Sequence, residues 1–545
     1  MRPVLALLIA GVAGLAASCG SSSPVGSIRF HAQAPVWRVD DQTPLAAPPK
    51  TRKPLRYLYK VDSTFARRAT RAMELQDDVH ARDVNSLDEV PDSTWFTNRI
   101  GVKDLTIEEL KRGPNVDPSP FDHKPWTITG SKIGGRSLGF TFEDSLQRTF
   151  LLKFDLKEVP EAETAAHIIV HRIVWALGYN VPQDFLGHID RKDLVIGDKA
   201  REKGLDEQRL DNALELVHRR GDGQIRAMAS RFVPGTPIGP YAREGRRTDD
   251  PNDTVLHEHR RTLRGQYPIF AWLDHTDLKE DNTIDSFDNG HVVHYLIDFG
   301  KALGVMAIGE GDRMNGYRFQ YDIPPALLDF FTLGLRSHRW DGKQLTGLRG
   351  VGLFDAEHFN PGDWKANYPY WPVLDHDRFD AFWGTKLMMR LEPHELAAIV
   401  EEGQLSDPRA AEYITKTLLH RQRATGRYWF DRVAPLDAFA IESTANEPRL
   451  CFTDLTLHYL LREAPTTYAI DAYDRRGTST KFAIDVAAGP RGRTCTAIRL
   501  SDKDPDRYTI VRLRVKREGR VMPPVVVHVA KLRDGRLEVV GLRRR

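Results

Sequence analysis

The chain has 545 residues, which is too long for one compact hydrophobic core and therefore favours two or more domains. Its 41% hydrophobic and 28% charged residues are typical of a folded soluble protein. The formal net charge of +3 is small for this length and argues against nucleic-acid binding, which usually needs a concentrated basic face, so we expect no nucleic-acid partner.

The first nineteen residues predict export from the cytoplasm. A basic start at Met1-Arg2 precedes an apolar run over 4–17, which is the pattern of a secretory signal rather than of a spanning helix. The tetrapeptide 16–19 resembles a bacterial lipobox, which implies that Cys19 carries a lipid anchor. An ordinary signal peptide that happens to contain a cysteine is the alternative. We therefore expect a membrane-anchored lipoprotein of the cell envelope, in the outer membrane rather than the inner.

The next segments predict a linker and an extension before the first regular domain. Residues 20–60 are rich in proline and alanine and are predicted to be linker. Residues 61–125 are predicted to be an N-terminal extension with a short helix at 105–111. From residue 126 the pattern changes to β-rich runs separated by glycine and polar turns. The predicted elements there are strands at 126–129, 138–142 and 149–154, a helix at 161–177, and strands at 185–187 and 225–233.

The remainder of the chain divides into a helical part and a β-rich part. Residues 241–262 are charged and polar and are predicted to be a surface insertion. From 263 to about 435 the pattern is mostly helical. Its clearest helices are predicted at 263–273, 396–402 and 410–419. Beyond residue 445, apolar alternation predicts an all-β module over 445–545. Its strands are predicted at 455–459, 468–472, 509–515 and 525–529.

Two cysteines remain besides Cys19, and both lie in the β-rich part. In an exported protein Cys451 and Cys495 could form a disulfide. Two buried free thiols are the alternative, and the sequence leaves both open because it holds no distances.

The strongest chemical signal is a pair of motifs in the helical part. His275-Thr276-Asp277-Leu278-Lys279 is followed by Asn282, and the apolar run 295–297 ends in Asp298-Phe299-Gly300. In order and spacing they resemble two segments of protein kinases, the catalytic loop and the magnesium-binding segment. Either motif alone is common, whereas their joint occurrence is specific. A polar loop followed by a buried strand that ends in an aspartate is the alternative.

This resemblance implies a role for each polar side chain. Phosphoryl transfer needs charge neutralisation and positioning rather than covalent help. Asp298 and Asn282 are expected to bind Mg²⁺ (or Mn²⁺) through oxygen, beside the phosphates of ATP. Asp277 is expected to accept or orient the proton of the attacking hydroxyl. Lys279 is expected to offset the charge of the transferred phosphate.

The same resemblance requires a strand lysine that holds the phosphates and a helix glutamate that pairs with it. Lys153 lies in an apolar strand at the right place, and a charge in such a strand needs a partner. Glu161 and Glu163 both open the following helix, and Glu161 is favoured because it follows Pro160 directly. An exposed lysine on an edge strand, paired with nothing, is the alternative for Lys153.

The glycine-rich segment departs from the family pattern. Gly130, Gly134 and Gly135 lie where two predicted strands meet, without the usual Gly-x-Gly-x-x-Gly order. Their backbone amides could cradle phosphate, and a plain hairpin turn is the alternative. This departure, together with the phrase at 176–182, resembles atypical kinases of the HipA type, the spore-coat CotH type and the secretory pathway. The resemblance covers 126 to about 305, is loose to 435, and is absent from the terminal module.

These observations together predict an α+β chain with a bilobed, protein-kinase-like fold. The small lobe is expected over 126–240, the helical lobe over 241–435, and nucleotide between the two. The expected activity is transfer of phosphate from ATP to a hydroxyl of an envelope protein, at Ser or Thr, or of a small molecule. A pseudokinase that keeps the fold and serves as an envelope scaffold is the first alternative. A chain whose terminal β module binds glycan or protein, with the kinase-like part as support, is the second.

Overall fold

The computed structural model describes residues 23–55, 57–73, 79–131, 138–306, 311–444 and 447–545. Helices and several separate sheets make it an α+β protein, as expected. The described residues form two compact units, a smaller one from 23–36, 86–88 and 433–545, and a larger one from 37–85 and 89–432. In the described part of the chain, every helix is too short or too polar to cross a membrane.

The larger unit contains a six-stranded sheet in the order β4-β6-β3-β2-β1-β5. All neighbouring strands are antiparallel except β1 and β5, which are parallel. Alternation of apolar residues along β3 buries Phe150 and Leu152 on one face of the sheet, where Trp126 and Phe142 join them. The strands are β1 (Trp126–Ser131), β2 (Gly139–Glu143), β3 (Thr149–Phe154), β4 (Asp184–Ile189), β5 (Leu194–Ile196) and β6 (Ile225–Arg231).

Two strands of a second, three-stranded sheet of this unit lie between the two sequence motifs, 275–282 and 298–300. It has the order β7-β8-β9 and is antiparallel throughout. Residues 275–282 lie just before β8, and Asp298 follows β9 by two residues, so the sheet brings both motifs to one place. The strands are β7 (Thr236–Gly239), β8 (Thr283–Asp288) and β9 (His291–Leu296).

The helices of the larger unit differ in burial according to their sequence pattern. Helix α4 (Ala162–Ala176) is apolar on nearly all sides, and it is buried almost completely between β3, β4 and other helices. The others are α1 (Tyr57–Val61), α2 (Arg67–Met73), α3 (Ile107–Arg112), α5 (Asp198–Glu202), α6 (Glu207–Leu214), α7 (Arg261–Arg264), α8 (Gln266–Leu273), α9 (Ile323–Phe331), α10 (Trp371–Leu374), α11 (Arg378–Met388), α12 (Pro393–Glu401) and α13 (Pro408–Phe430).

The long helix α13 fixes the helix that leads into the first motif. The Arg421 side chain on α13 donates to the carbonyl oxygens of Ala271 and Trp272, at the end of α8. The Trp272 indole in turn donates to the Leu418 carbonyl at 2.8 Å. Because the two Arg421 bonds satisfy carbonyls that the end of a helix leaves unpaired, the end of α8 is fixed just before residue 275.

The structure corrects the expectation that 241–262 is a surface insertion. His257 is fully buried, and its imidazole hydrogen-bonds with the Asp253 carboxylate at 2.9 Å. Arg260 donates to the other oxygen of the same carboxylate at 2.8 Å. These three polar side chains are therefore paired with one another inside the fold, so this part of the segment is not a solvated insertion.

The smaller unit is β-rich, with one three-stranded sheet, β10-β11-β14, and one larger sheet, β13-β12-β15-β17-β18, in which β16 pairs with β15. The Cys451 and Cys495 side chains, opposite each other on β11 and β14, are joined as a disulfide. The strands are β10 (Leu436–Thr444), β11 (Glu447–Asp454), β12 (Thr466–Asp474), β13 (Ser479–Ala487), β14 (Arg493–Ala497), β15 (Thr509–Arg517), β16 (Arg520–Val521), β17 (Val525–Lys531) and β18 (Leu537–Arg544).

Two segments of the smaller unit differ from expectation. The predicted strand at 455–459 is instead a helix, α14 (Leu455–His458), because the Asp454 side chain accepts a bond from the Thr456 amide and caps its start. Residues 23–36, expected to be linker, lie against the β-rich core. The Phe30 ring contacts the His528 ring at 4.9 Å.

Candidate functional site

A buried ion pair joins the strand lysine to the second motif. Lys153 on β3 is 2% exposed, and its Nζ donates to Asp298 Oδ1 at 2.5 Å, although the two residues are 145 positions apart. Burial alone would lower the pKa of Lys153, but the charges of Asp298 and Glu163 outweigh it and raise that pKa. The lysine is therefore a fixed cation at the edge of the second motif. It is not the exposed edge-strand residue of the alternative.

The backbone around Asp298 is held in an unusual conformation. Asp298 has φ of +63°, in the left-handed region. The next residue, Phe299, is 1% exposed, and its ring contacts the rings of His167, His171 and His275 at centroid distances of 5.6 to 6.1 Å. Burial of Phe299 anchors the segment, so the Asp298 carboxylate faces Lys153 with 31% of its side chain exposed.

The first motif forms a tight loop closed by a single 3₁₀ turn, Glu280–Asn282. The Asn282 side-chain amide donates to the Asp277 carbonyl at 2.7 Å, which ties the two ends of the loop together. The Ile297 amide donates to the Asn282 carbonyl at 3.0 Å, so the loop is also fixed to the residue before Asp298. Sequence-distant residues of both motifs therefore belong to one rigid cluster.

Two lysines surround the Asp277 carboxylate. Lys279 Nζ lies 2.8 Å and Lys301 Nζ 3.4 Å from Asp277 Oδ2. Burial would raise the pKa of Asp277, but these two positive charges and the Lys279 hydrogen bond lower it to about 2. Asp277 is thus ionised at neutral pH. The sequence analysis missed Lys301, although a cation directly after Gly300 is a signal that could have indicated it.

The structure separates the two glutamates that open α4. Glu163 is buried and its charge acts on Lys153, and a side chain on Gly300 would meet its carboxylate within 3.0 Å. Glu161, by contrast, accepts a hydrogen bond from the Ser406 amide at 2.8 Å. The glutamate whose charge acts on the lysine is therefore Glu163, and the preference for Glu161 is corrected.

A further buried carboxylate, Asp184 on β4, was not anticipated. It hydrogen-bonds with His167 of α4 at 2.7 Å, and its charge also acts on Lys153. Burial would raise the pKa of Asp184, but His171 and His167 together lower it to about 2. No local sequence signal distinguishes this aspartate from an ordinary residue at the start of a strand.

The N-terminal segment, expected to be linker, contributes to the loop as well. Arg52 Nη2 lies 2.8 Å from Glu280 Oε2, inside the 3₁₀ turn that closes the first motif. The Arg52 amide donates to the Ile238 carbonyl at 2.8 Å. Gly239 has φ of +99°, and a side chain there would collide with the Arg52 carbonyl, so glycine is required at this crossing.

Of the three glycines predicted to bind phosphate, Gly130 lies among the described residues. Gly130 lies in β1 beside a register shift, and a side chain there would approach the Thr141 hydroxyl at 3.1 Å. Gly134, Gly135 and the predicted lipid-anchor residue Cys19 lie outside the described residues.

The donor set of the cluster suits a hard divalent cation. Because the nitrogen of the Asn282 amide is used in the bond to Asp277, its oxygen is the end left to accept or to bind a metal. The partly exposed Asp298 carboxylate supplies a second kind of oxygen ligand. Carboxylate and amide oxygens are ligands that Mg²⁺ accepts, usually with several waters retained.

Comparisons with known proteins add little. No protein-family model matches the chain, and no curated protein matches it. Among solved structures, the chain is similar to the proinflammatory kinase CtkA of Helicobacter pylori, with a TM-score of 0.31 and 11% identity. The similarity covers 56% of this chain and 96% of the Helicobacter chain. A likeness this weak carries no argument, so a functional inference must come from the geometry of the cluster.

Proposed function

We propose that the chain is a phosphotransferase of protein-kinase-like fold that uses ATP and Mg²⁺ (or Mn²⁺) to phosphorylate a hydroxyl group. The observation that carries the proposal is the contact of Lys153 with Asp298, next to a loop that holds Asp277, Lys279 and Asn282. Lys153 comes from β3, Asp298 from the segment after β9, and the other three side chains from one loop, so groups that are distant in sequence converge on one place.

Each side chain has a task in this proposal. Lys153 would bind the inner phosphates, since a fixed and permanently charged amine suits a polyanion. Asp298 and Asn282 would hold the metal, which, when bound, neutralises phosphate charge. Asp277 would orient the acceptor hydroxyl. With a pKa of about 2 it is a weak base, so positioning is the larger part of its role. Lys279 and Lys301 would offset negative charge beside it.

The proposed bilobed fold follows from where these groups lie. The six-stranded sheet with α4 would form the small lobe and carry Lys153 and Glu163. The three-stranded sheet and the helices after it would form the larger lobe and carry Asp277, Asn282 and Asp298. The envelope location is supported by the sequence of residues 1–19, and the acceptor would be an envelope protein or a small molecule there.

The test compares wild type with Asp298→Asn and with Asp222→Asn, an exposed aspartate in a turn of the same unit. We expect ATP with Mg²⁺ to raise the melting temperature of wild type and of Asp222→Asn, but not of Asp298→Asn. We also expect metal-dependent transfer of labelled phosphate to an envelope extract by the first two proteins only. No ATP-dependent shift in a folded wild-type chain would contradict the proposal.

A pseudokinase would give a different result in the same experiment. It would bind ATP and show the metal-dependent shift, yet transfer no label to any acceptor. The full set of Lys153, Asp277, Asn282 and Asp298 argues against it, because a decayed kinase has usually lost one of them.

A further inference from the structure

Helix α9 and the residues after it form an exposed apolar face. Seven large apolar side chains between 323 and 335 have between 47% and 87% of their surface exposed. They are Ile323, Leu327, Leu328, Phe330, Phe331, Leu333 and Leu335. On the helix itself they cover an arc of roughly 160°. Scattered apolar residues need no explanation, but a continuous patch of this kind marks a surface that another apolar phase covers.

The charged side chains around this face are mostly arginines, and they are more exposed than the single carboxylate. The only carboxylate between 323 and 340 is Asp329, whose side chain is 23% exposed. Its carboxylate lies 3.6 Å from Arg318 and 3.9 Å from Arg336, and 3.1 Å from the His338 ring. Just beyond the apolar run, Arg339 is exposed, and Arg336 keeps 45% of its side chain exposed although it is paired with Asp329. Within 323–339 the face therefore offers apolar area and the positive charge of Arg339 to solvent, while its one carboxylate is mostly covered and is paired with Arg318 and Arg336.

We propose that this face, residues 323–339, docks on the surface of an anionic lipid bilayer. An apolar helix with arginines at its edge is typical of segments that lie in the membrane interface, where rings enter the acyl boundary and cations meet lipid phosphate. At nine residues α9 is too short to span a bilayer, so it would lie in the plane of the interface. A protein partner fits less well, because between 323 and 335 the exposed side chains offer few polar groups for hydrogen bonds across an interface.

The experiment measures hydrogen–deuterium exchange in the full chain, with and without vesicles. One vesicle is pure phosphatidylcholine and the other contains equal parts of phosphatidylcholine and phosphatidylglycerol. We expect deuterium uptake over 323–335 to fall at least about threefold on the anionic vesicle and little on the neutral one. The peptide-level readout separates this contact from any N-terminal anchor, since an anchor would not protect 323–335.

Variants then test which side chains are responsible. Phe330→Ser with Phe331→Ser should abolish the protection, because two exposed rings are removed without touching the core. Val116→Ser, which changes an apolar residue that is 82% exposed elsewhere in the same unit, should leave it intact. Arg336→Glu with Arg339→Glu should remove the preference for the anionic vesicle, whereas Lys192→Glu, at another exposed cation, should not.

Two results would overturn the proposal. One is unchanged uptake over 323–335 on anionic vesicles. The other is protection of the same residues without vesicles that grows with protein concentration and disappears in the double phenylalanine variant. That second result would assign the face to another copy of the chain.

Discussion

At the scale of single residues, the pair Lys153 and Asp298 depends on burial and charge together. Each charge would be costly to bury alone, and removing one partner from a buried pair typically costs about 3–5 kcal/mol. Since 31% of the Asp298 side chain is exposed, we expect a smaller loss of stability there. Substitutions at Asp298 can therefore report on function in a chain that still folds.

Asp277 gives a prediction about pH. Its folded pKa of about 2 lies below the ordinary value of 3.8, so the ionised form stabilises the fold by about 2 kcal/mol. That contribution is complete above about pH 4 and is lost as the pH falls through about 2. The free energy of unfolding of wild type, minus that of Asp277→Asn, should therefore shrink as the pH falls from 6 to 3. Urea unfolding at each pH measures it.

The control for this experiment is Asp222→Asn, whose carboxylate is half exposed. The difference in free energy of unfolding between this variant and wild type should stay small and nearly constant over the same pH range. A constant difference for Asp277→Asn would show that Lys279 and Lys301 do not stabilise the ionised form.

The sequence predicts the site residues that belong to a recognisable motif, including the distant Lys153, and misses Lys301, Asp184 and Arg52, which belong to none. Asp277 and Asn282 lie in one short loop before β8, and Asp298 follows β9, which pairs with β8, so the hairpin brings the two motifs together. Asp184 and Arg52 reach the cluster through tertiary packing, which no local pattern encodes.

At the scale of elements, α4 explains why the wrong glutamate was favoured. Glu163 lies in the first turn of α4, whereas Glu161 precedes that turn in a left-handed conformation, so the two side chains leave the backbone in different directions. The sequence indicates where the helix begins but not how it is rotated about its axis. Glu161 has φ of +66° before the first turn, which directs its side chain to Ser406 instead.

The two glutamates provide a matched pair of variants. Glu163→Gln should lower the proposed phosphate transfer at least about tenfold, because it removes a charge that acts on the buried Lys153. Glu161→Gln should leave the rate within about twofold, since an amide oxygen can still accept the bond from Ser406. Equal losses in both variants, with both proteins folded, would contradict this assignment.

Most of the strands and helices that the sequence predicts are present in the structure, although others, such as β5, α6 and β8, were not predicted. The three strands β1, β2 and β3 and the helix α4 lie within a few residues of their predicted positions. The strand prediction for 455–459 was wrong because a pattern over only five residues does not distinguish a strand from one helical turn. The cap at Asp454 favours the helix.

At the scale of the whole molecule, charge alone was a poor guide to exposure. The segment 241–262 looks like a solvated insertion, yet Asp253 holds both His257 and Arg260 inside the fold. Composition counts charges but does not show which ones are paired, so buried polar networks of this kind stay hidden until the structure is known.

The disulfide of the smaller unit gives a prediction about stability. It closes a segment with a sequence separation of 44 residues, and such a link typically stabilises a fold by about 2–4 kcal/mol. Cys451→Ala with Cys495→Ala should lower the free energy of unfolding of that unit by this amount, as measured by denaturant titration. The shift caused by ATP, which reports on the larger unit, should be unchanged. If the ATP-dependent shift were lost as well, the two units would not be independent in stability.

The same cross-link changes what a protease can release. The turn between β12 and β13 contains Arg475 and Arg476, of which Arg476 is exposed, and it lies inside the segment that the two cysteines close. Trypsin that cuts this turn would leave two fragments still covalently joined, so the nicked chain would migrate as one band until a reductant parts it.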